Sequence, residues 1–138
     1  MAKDYKKEIE MGFDRKYLIS ALGFAVLGML LGIVMSASKD HGQAVTHAHL
    51  LLVGFVVSMM YGIIHKLWLP VYSGGIARVQ FILHHLGVLG MISGLFMLFG
   101  QIAPEEKLVP LLSSSSLAVL AAMILMLVMV LKSKPANS

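Results

Sequence analysis

Histidine is the residue type in this sequence best suited to chemistry, and six are present: His41, His47, His49, His65, His84 and His85. Neutral imidazole is a good ligand for heme iron and for copper. All of them lie within or beside strongly apolar stretches, where an ionisable side chain is costly and is a functional candidate by default. Cysteine is absent, which removes disulfides, thiolate metal sites and cysteine nucleophiles. No Asp or Glu interrupts the apolar stretches, so a proton relay built from carboxylates inside them is not expected.

Spacing divides the histidines into two groups. His41, His47 and His49 cluster ahead of and at the start of one apolar segment. His65 lies near its far end, and His84 and His85 lie near the start of the next. At about 1.5 Å per helical residue, His47 and His65 stand roughly 27 Å apart, too far to share one iron. His47 and His49 diverge by about 200° around a helix and so face different sites or partners. His65 falls on the same face as His47, since eighteen residues make about five turns. Plainer readings stand beside these. His41 reads as a solvated loop residue, His65 as a side chain snorkelling beside Lys66, and His84 and His85 as either ligands or structural hydrogen-bonding groups.

The elements that must position them are transmembrane helices. Of 138 residues, 58% are hydrophobic and 13% charged, and mean hydropathy is +0.84. That is too apolar for an ordinary soluble core, which is nearer half hydrophobic and about a quarter charged. Spanning a bilayer takes about 20 predominantly apolar residues. Four segments qualify, at about 17–37, 47–69, 79–100 and 109–131. Short turn-type connections, with Pro70, Gly74-Gly75 and Pro104, make neighbouring helices antiparallel. The expected fold is an all-α integral membrane protein, an antiparallel four-helix transmembrane bundle. A cytoplasmic amphipathic arm (1–16) precedes it and a cytoplasmic tail (132–138) follows. The arm mixes acidic and basic residues, and the apolar stretch after it is too long for a signal peptide.

Charge sets the expected orientation. The net charge is +4, but the basic residues flank apolar segments instead of forming a patch, which argues against nucleic acid. Lys3, Lys6, Lys7, Arg15, Lys16, Lys66, Arg78, Lys132 and Lys134 fall on one side, with only Lys39 and Lys107 on the other. The positive-inside rule then puts both termini in the cytoplasm, in a multi-pass protein of a bacterial-type inner membrane. Gly28 and Gly32, and Gly90 and Gly94, have the GxxxG spacing that lets helices approach closely, within the chain or in a dimer. The Ser113–Ser116 run reads as structural. Met123, Met126 and Met129, part of a set of eleven methionines, read as packing.

The stretch Thr46–Gly87 resembles the central region of subunit I of the heme–copper oxidase family. The motifs that carry this are His47-Ala48-His49, Met60-Tyr61-Gly62, Leu67-Trp68-Leu69-Pro70 and Arg78-Val79-Gln80-Phe81-Ile82-Leu83-His84-His85-Leu86-Gly87. The resemblance implies that His47 serves a high-spin heme and His49 a low-spin heme, toward the non-cytoplasmic side. It covers about a third of the chain. The chain departs from the family in having far fewer helices, no counterpart of the helix that supplies the other low-spin ligand, and no evident copper-binding cluster or cross-linked tyrosine. Dioxygen reduction by this chain alone is therefore not expected, and no catalytic residue is assigned.

The leading expectation is a small heme b-binding membrane protein that transfers electrons through bis-histidine heme, with His47 and His49 as iron ligands. Because one chain offers too few ligands at that end, a homodimer is expected in which both protomers contribute. His65 paired with His84 or His85 forms an alternative cofactor site in one chain. The competing functional class is heme or copper handling, or an accessory or assembly subunit of a respiratory complex, without redox chemistry of its own. A third is a structural membrane protein whose histidines only hydrogen-bond. A respiratory redox partner or a quinone is the electron partner that fits the leading expectation.

Overall fold

A computed structural model describes residues 12–69 and 74–133. The expectations placed on Lys3, Lys6, Lys7, Pro70 and Lys134 lie outside the described residues. Four helices make up the described chain: α1 (Phe13–Ser38), α2 (Ala44–Leu67), α3 (Gly75–Phe99) and α4 (Glu105–Lys132). No strand occurs among the described residues. Each helix is long and apolar enough to cross a membrane. At about 1.5 Å per residue they measure roughly 36–42 Å, against about 30 Å of bilayer hydrocarbon.

The helices start three or four residues earlier than hydropathy alone suggests; in α1, α3 and α4 the first turn carries charged residues that lower it. Phe13–Lys16, expected in a separate arm, forms the first turn of α1. In α4, Pro104 precedes the helix and Glu105 and Glu106 occupy its first turn, where negative charge is favoured by the unpaired N–H groups. Pro110 consequently sits inside α4 instead of at its start. α1 ends at Lys39, which takes a left-handed conformation with φ 57°. Asp40 then accepts a hydrogen bond from the Gly42 N–H at 2.8 Å, an Asx-type turn that redirects the chain into α2.

α2 is not a uniform α-helix. It is α-helical over Ala44–His49, π-helical over Leu50–Val57 and α-helical again over Ser58–Leu67. The wider turns follow directly on His49 and end at Ser58.

Glycines seat the helices on one another. A Cβ on Gly28 would stand 2.6 Å from Leu51, one on Gly54 would stand 2.8 Å from the Phe24 ring, and one on Gly62 would stand 3.2 Å from the Asp14 carbonyl oxygen. α1 therefore packs along the whole of α2. On the other side, a Cβ on Gly87 would lie 3.0 Å from both the Ser115 oxygen and the Val119 nitrogen, and one on Gly94 would lie 2.6 Å from Leu112. Both GxxxG pairs are thus spent within the chain: Gly28 and Gly32 face α2, while Gly90 and Gly94 face α4.

Large apolar side chains cover the outside. Leu22, Val26, Leu30 and Ile33 of α1 and Leu117, Leu120, Ile124 and Leu127 of α4 are all half or more exposed. Apolar surface this continuous is what a lipid environment, or a partner, covers. Two buried clusters fill the interior. One gathers Tyr17, Tyr61, Leu69, Ala77, Met126 and Met129, and the other Phe24, Leu50 and Val88. Met126 and Met129 fill core space, as the packing reading expects, whereas Met123 is 43% exposed.

Candidate functional site

The first histidine group is positioned by the entrance to α2. Thr46, fully buried, donates from its hydroxyl to the Gln43 side-chain oxygen at 2.7 Å. The Gln43 amide in turn donates to the Phe96 carbonyl near the end of α3 at 3.1 Å. This bridge fixes the first turn of α2 against α3. Within that turn the two imidazoles diverge, as a two-residue separation requires.

His47 turns toward α1. Its Nδ1 lies 2.8 Å from the Gly28 carbonyl oxygen, and Gly32 leaves room for its ring, since a Cβ there would come within 2.9 Å of Cε1. His49 lies on another face, with Nδ1 2.8 Å from the Val45 carbonyl oxygen one turn earlier. A carbonyl oxygen only accepts, so in each neutral ring Nδ1 carries the hydrogen and Nε2 keeps its lone pair. Metal-bound histidines commonly have this arrangement, with the second ring nitrogen donating to a carbonyl that fixes tautomer and orientation. His49 is half-buried and lies one turn after Val45, which is 37% exposed. His41 is exposed in the loop before α2.

The second histidine group is inside the bundle. His65, His84 and His85 all pack around the ring of Tyr17, at centroid separations of 5.7, 6.0 and 5.4 Å. His65 is 4% exposed and stacks on Phe13 as well as Tyr17. The snorkelling reading of this residue therefore fails: α1 carries aromatic rings over it, while neighbouring Lys66 reaches the surface and meets Asp14 at 3.7 Å. His84 is fully buried. Its Nε2 lies 2.7 Å from the Ser58 hydroxyl, and its ring meets Tyr61 edge-on at 4.9 Å.

His85 has both nitrogens engaged. Nδ1 is 2.9 Å from the Phe81 carbonyl oxygen and must be the N–H, so Nε2 accepts from the Ser20 hydroxyl at 2.8 Å. The alternative acceptor for that hydroxyl, the Tyr17 carbonyl, is more distant at 3.1 Å. His85 accordingly has no free lone pair to offer a metal.

Three buried nitrogens of this cluster have no hydrogen-bond partner among the described residues: His65 Nε2, Gln80 Nε2 and His84 Nδ1. Gln80, fully buried, accepts from the Tyr17 hydroxyl at 2.5 Å. Tyr17 is thus the hub, touching all three imidazoles and bonded to Gln80. Among the described residues, no three His, Asp or Glu side chains are arranged to hold a metal ion.

Sequence reasoning missed Tyr17, Ser20, Ser58 and Gln80 as partners of the histidines. Two signals were available. Gln80 precedes His84 by four residues and so shares its helical face, and Ser58 is the one hydroxyl in the apolar run between His49 and Tyr61. Nothing local marks Tyr17 or Ser20, whose contacts are with residues more than sixty positions away.

No family model matches the chain, and no curated protein or solved structure is significantly similar to it.

Proposed function

We propose that this chain is a multi-pass protein of a bacterial-type inner membrane whose four helices form an antiparallel bundle with both termini on the cytoplasmic side. It binds heme b at the His47–His49 end of α2 and passes electrons through imidazole-ligated heme without reducing dioxygen. Support for the membrane arrangement comes from the four apolar helices, the lysine and arginine distribution, and contacts that set Gly62 against Asp14 but Gly32 against His47.

One observation carries the cofactor reading. Each imidazole of the His-Ala-His pair donates Nδ1–H to a backbone carbonyl and leaves Nε2 uncommitted. His49 offers that nitrogen from the outward face, and His47 offers it from the seam with α1. Imidazole ligation on both sides of iron leaves no open position, which suits electron transfer over oxygen activation. The chain supplies ligands, fixes their tautomers and surrounds them with apolar side chains; a bound heme supplies the one-electron couple. A respiratory redox partner or a quinone is the electron partner consistent with that role.

The test is an absorption spectrum of the detergent-purified protein, oxidised and then reduced with dithionite. Sharp, split visible bands after reduction support bis-imidazole heme b. No Soret band, even after reconstitution with hemin, overturns the reading. His49→Ala is expected to lose more heme than His41→Ala, whose side chain is in the exposed loop. Equal retention in the two variants contradicts the assignment.

A further inference from the structure

The two imidazoles of the pair are not equivalent, and the difference says how the site is completed. His47 is enclosed on the α1 side: Gly28 accepts its N–H at 2.8 Å, and Gly32 gives its ring a seat that a single methyl group would fill. Its ring is a wedge between α1 and α2. His49 is bonded only within its own helix, to Val45, and no residue of α1, α3 or α4 hydrogen-bonds to it. A polar ring on a lipid-facing stripe is costly unless something pairs with it. Val45, one turn before His49, is apolar and exposed, as a porphyrin face requires.

We infer that His49 of one chain and His49 of a second copy ligate the same heme iron across a twofold axis, with His47 remaining on α1 as a positioning residue. The inference rests on the heme reading above and names the partner of that site. His47 and His49 cannot both serve one iron, because they point to different faces of α2. His65 and His84 belong to the Tyr17 cluster, and His84 lies wholly inside the bundle. His85 has no lone pair to spare. Among the described helical histidines, that leaves His49, and a twofold axis supplies a second imidazole by using the same face twice. Such an axis gives the commonest closed oligomer. Both GxxxG pairs are occupied inside the chain and do not make this contact; the position of His49 places it on α2.

The experiment measures heme per chain together with particle mass, on full-length protein purified in detergent and saturated with hemin. One heme per two chains in a dimer is expected. His49→Ala is expected to lose that heme while keeping wild-type helicity. Mixed dimers of wild-type and His49→Ala chains, isolated through two different tags, are expected to show a high-spin spectrum that added imidazole converts to low spin. One heme per monomeric chain overturns the shared iron but leaves the heme reading standing, and loss of that heme in His41→Ala would then identify an intrachain pair. One heme per two chains that survives His49→Ala overturns the choice of ligand. No heme in the wild-type protein overturns the heme reading and this inference together.

Discussion

If Gly32 is the seat of the His47 ring, Gly32→Ala and His47→Ala must be strongly coupled. A methyl group at Gly32 would stand 2.9 Å from His47 Cε1 and 3.4 Å from Nδ1. Ordinary contact begins near 3.4 Å, so the ring must retreat by about half an ångström. That takes the bond to Gly28, now 2.8 Å, to or beyond the end of the useful N–H···O range at about 3.2 Å. An interhelical hydrogen bond in a membrane protein is worth about 0.6 kcal/mol on average and up to about 1.7. Holding a side chain some 30° off its rotamer adds roughly 0.5–1.5 kcal/mol. Against this penalty of about 1–3 kcal/mol, alanine gains about 0.8–1 kcal/mol over glycine from helix propensity. Gly23 lies in the same helix, and a Cβ there meets nothing within 4 Å, so Gly23→Ala shows the propensity gain alone. Unfolding in mixed micelles, followed by circular dichroism, should find Gly32→Ala less stable than Gly23→Ala by about 1–3 kcal/mol. In a His47→Ala background the two glycine substitutions should become equivalent. A coupling energy below about 0.5 kcal/mol, the usual scatter of additivity, would refute the seat.

Other consequences follow from the same contacts. Ser58→Ala should destabilise by roughly 1–2 kcal/mol, since it leaves both nitrogens of the buried His84 without a partner, whereas Ser114→Ala, on an exposed hydroxyl, should be near neutral in the same unfolding assay. Gly87→Ala should cost about 1–3 kcal/mol, because backbone atoms of α4 stand 3.0 Å from the new methyl and cannot swing aside; Gly75→Ala, which meets nothing within 4 Å, is its control. Lys66→Ala should change stability by less than about 1 kcal/mol, and by less at high salt than at low, since its ion pair with Asp14 is largely solvent-exposed and screened.

The helices and their number were legible in the sequence because lipid crossing is a one-dimensional property: it needs length and apolarity, and both are local. Helix starts were less so. Hydropathy falls at Phe13–Lys16 and at Glu105–Lys107, yet backbone hydrogen bonding continues there, helped in α4 by Glu105 and Glu106, which suit a first turn. The divergence of His47 and His49 also came directly from helical periodicity. The π-helical run did not: Leu50–Val57 has the composition of any apolar helix, and Gly54 records only that Phe24 comes close. The environment of His65 was misread for a related reason. Its sequence neighbour Lys66 suggests an interface, but burial there is decided by Phe13 and Tyr17 from another helix.

The two histidine groups use imidazole differently, and their hydrogen-bond partners show it. Around Tyr17, side chains close on one another: Ser58 on His84, Ser20 on His85, Gln80 on Tyr17. Every helix contributes, since Tyr61 also donates to the Met123 sulfur at 3.4 Å. Such a network ties four helices at one end and is best read as glue, although its three unpartnered nitrogens keep it short of complete satisfaction. At the other end the partners of the imidazoles are backbone carbonyls, which orient a ring without using its lone pair. A histidine needed only for packing gains by closing both nitrogens, as His85 does. His47 and His49 each donate to a carbonyl, and their other ring nitrogen has no hydrogen-bond partner among the described residues. Hydrogen bonding sets His49 apart from His85, and partial exposure sets it apart from the buried His65 and His84; under the proposed function, His49 is the imidazole at which to seek iron.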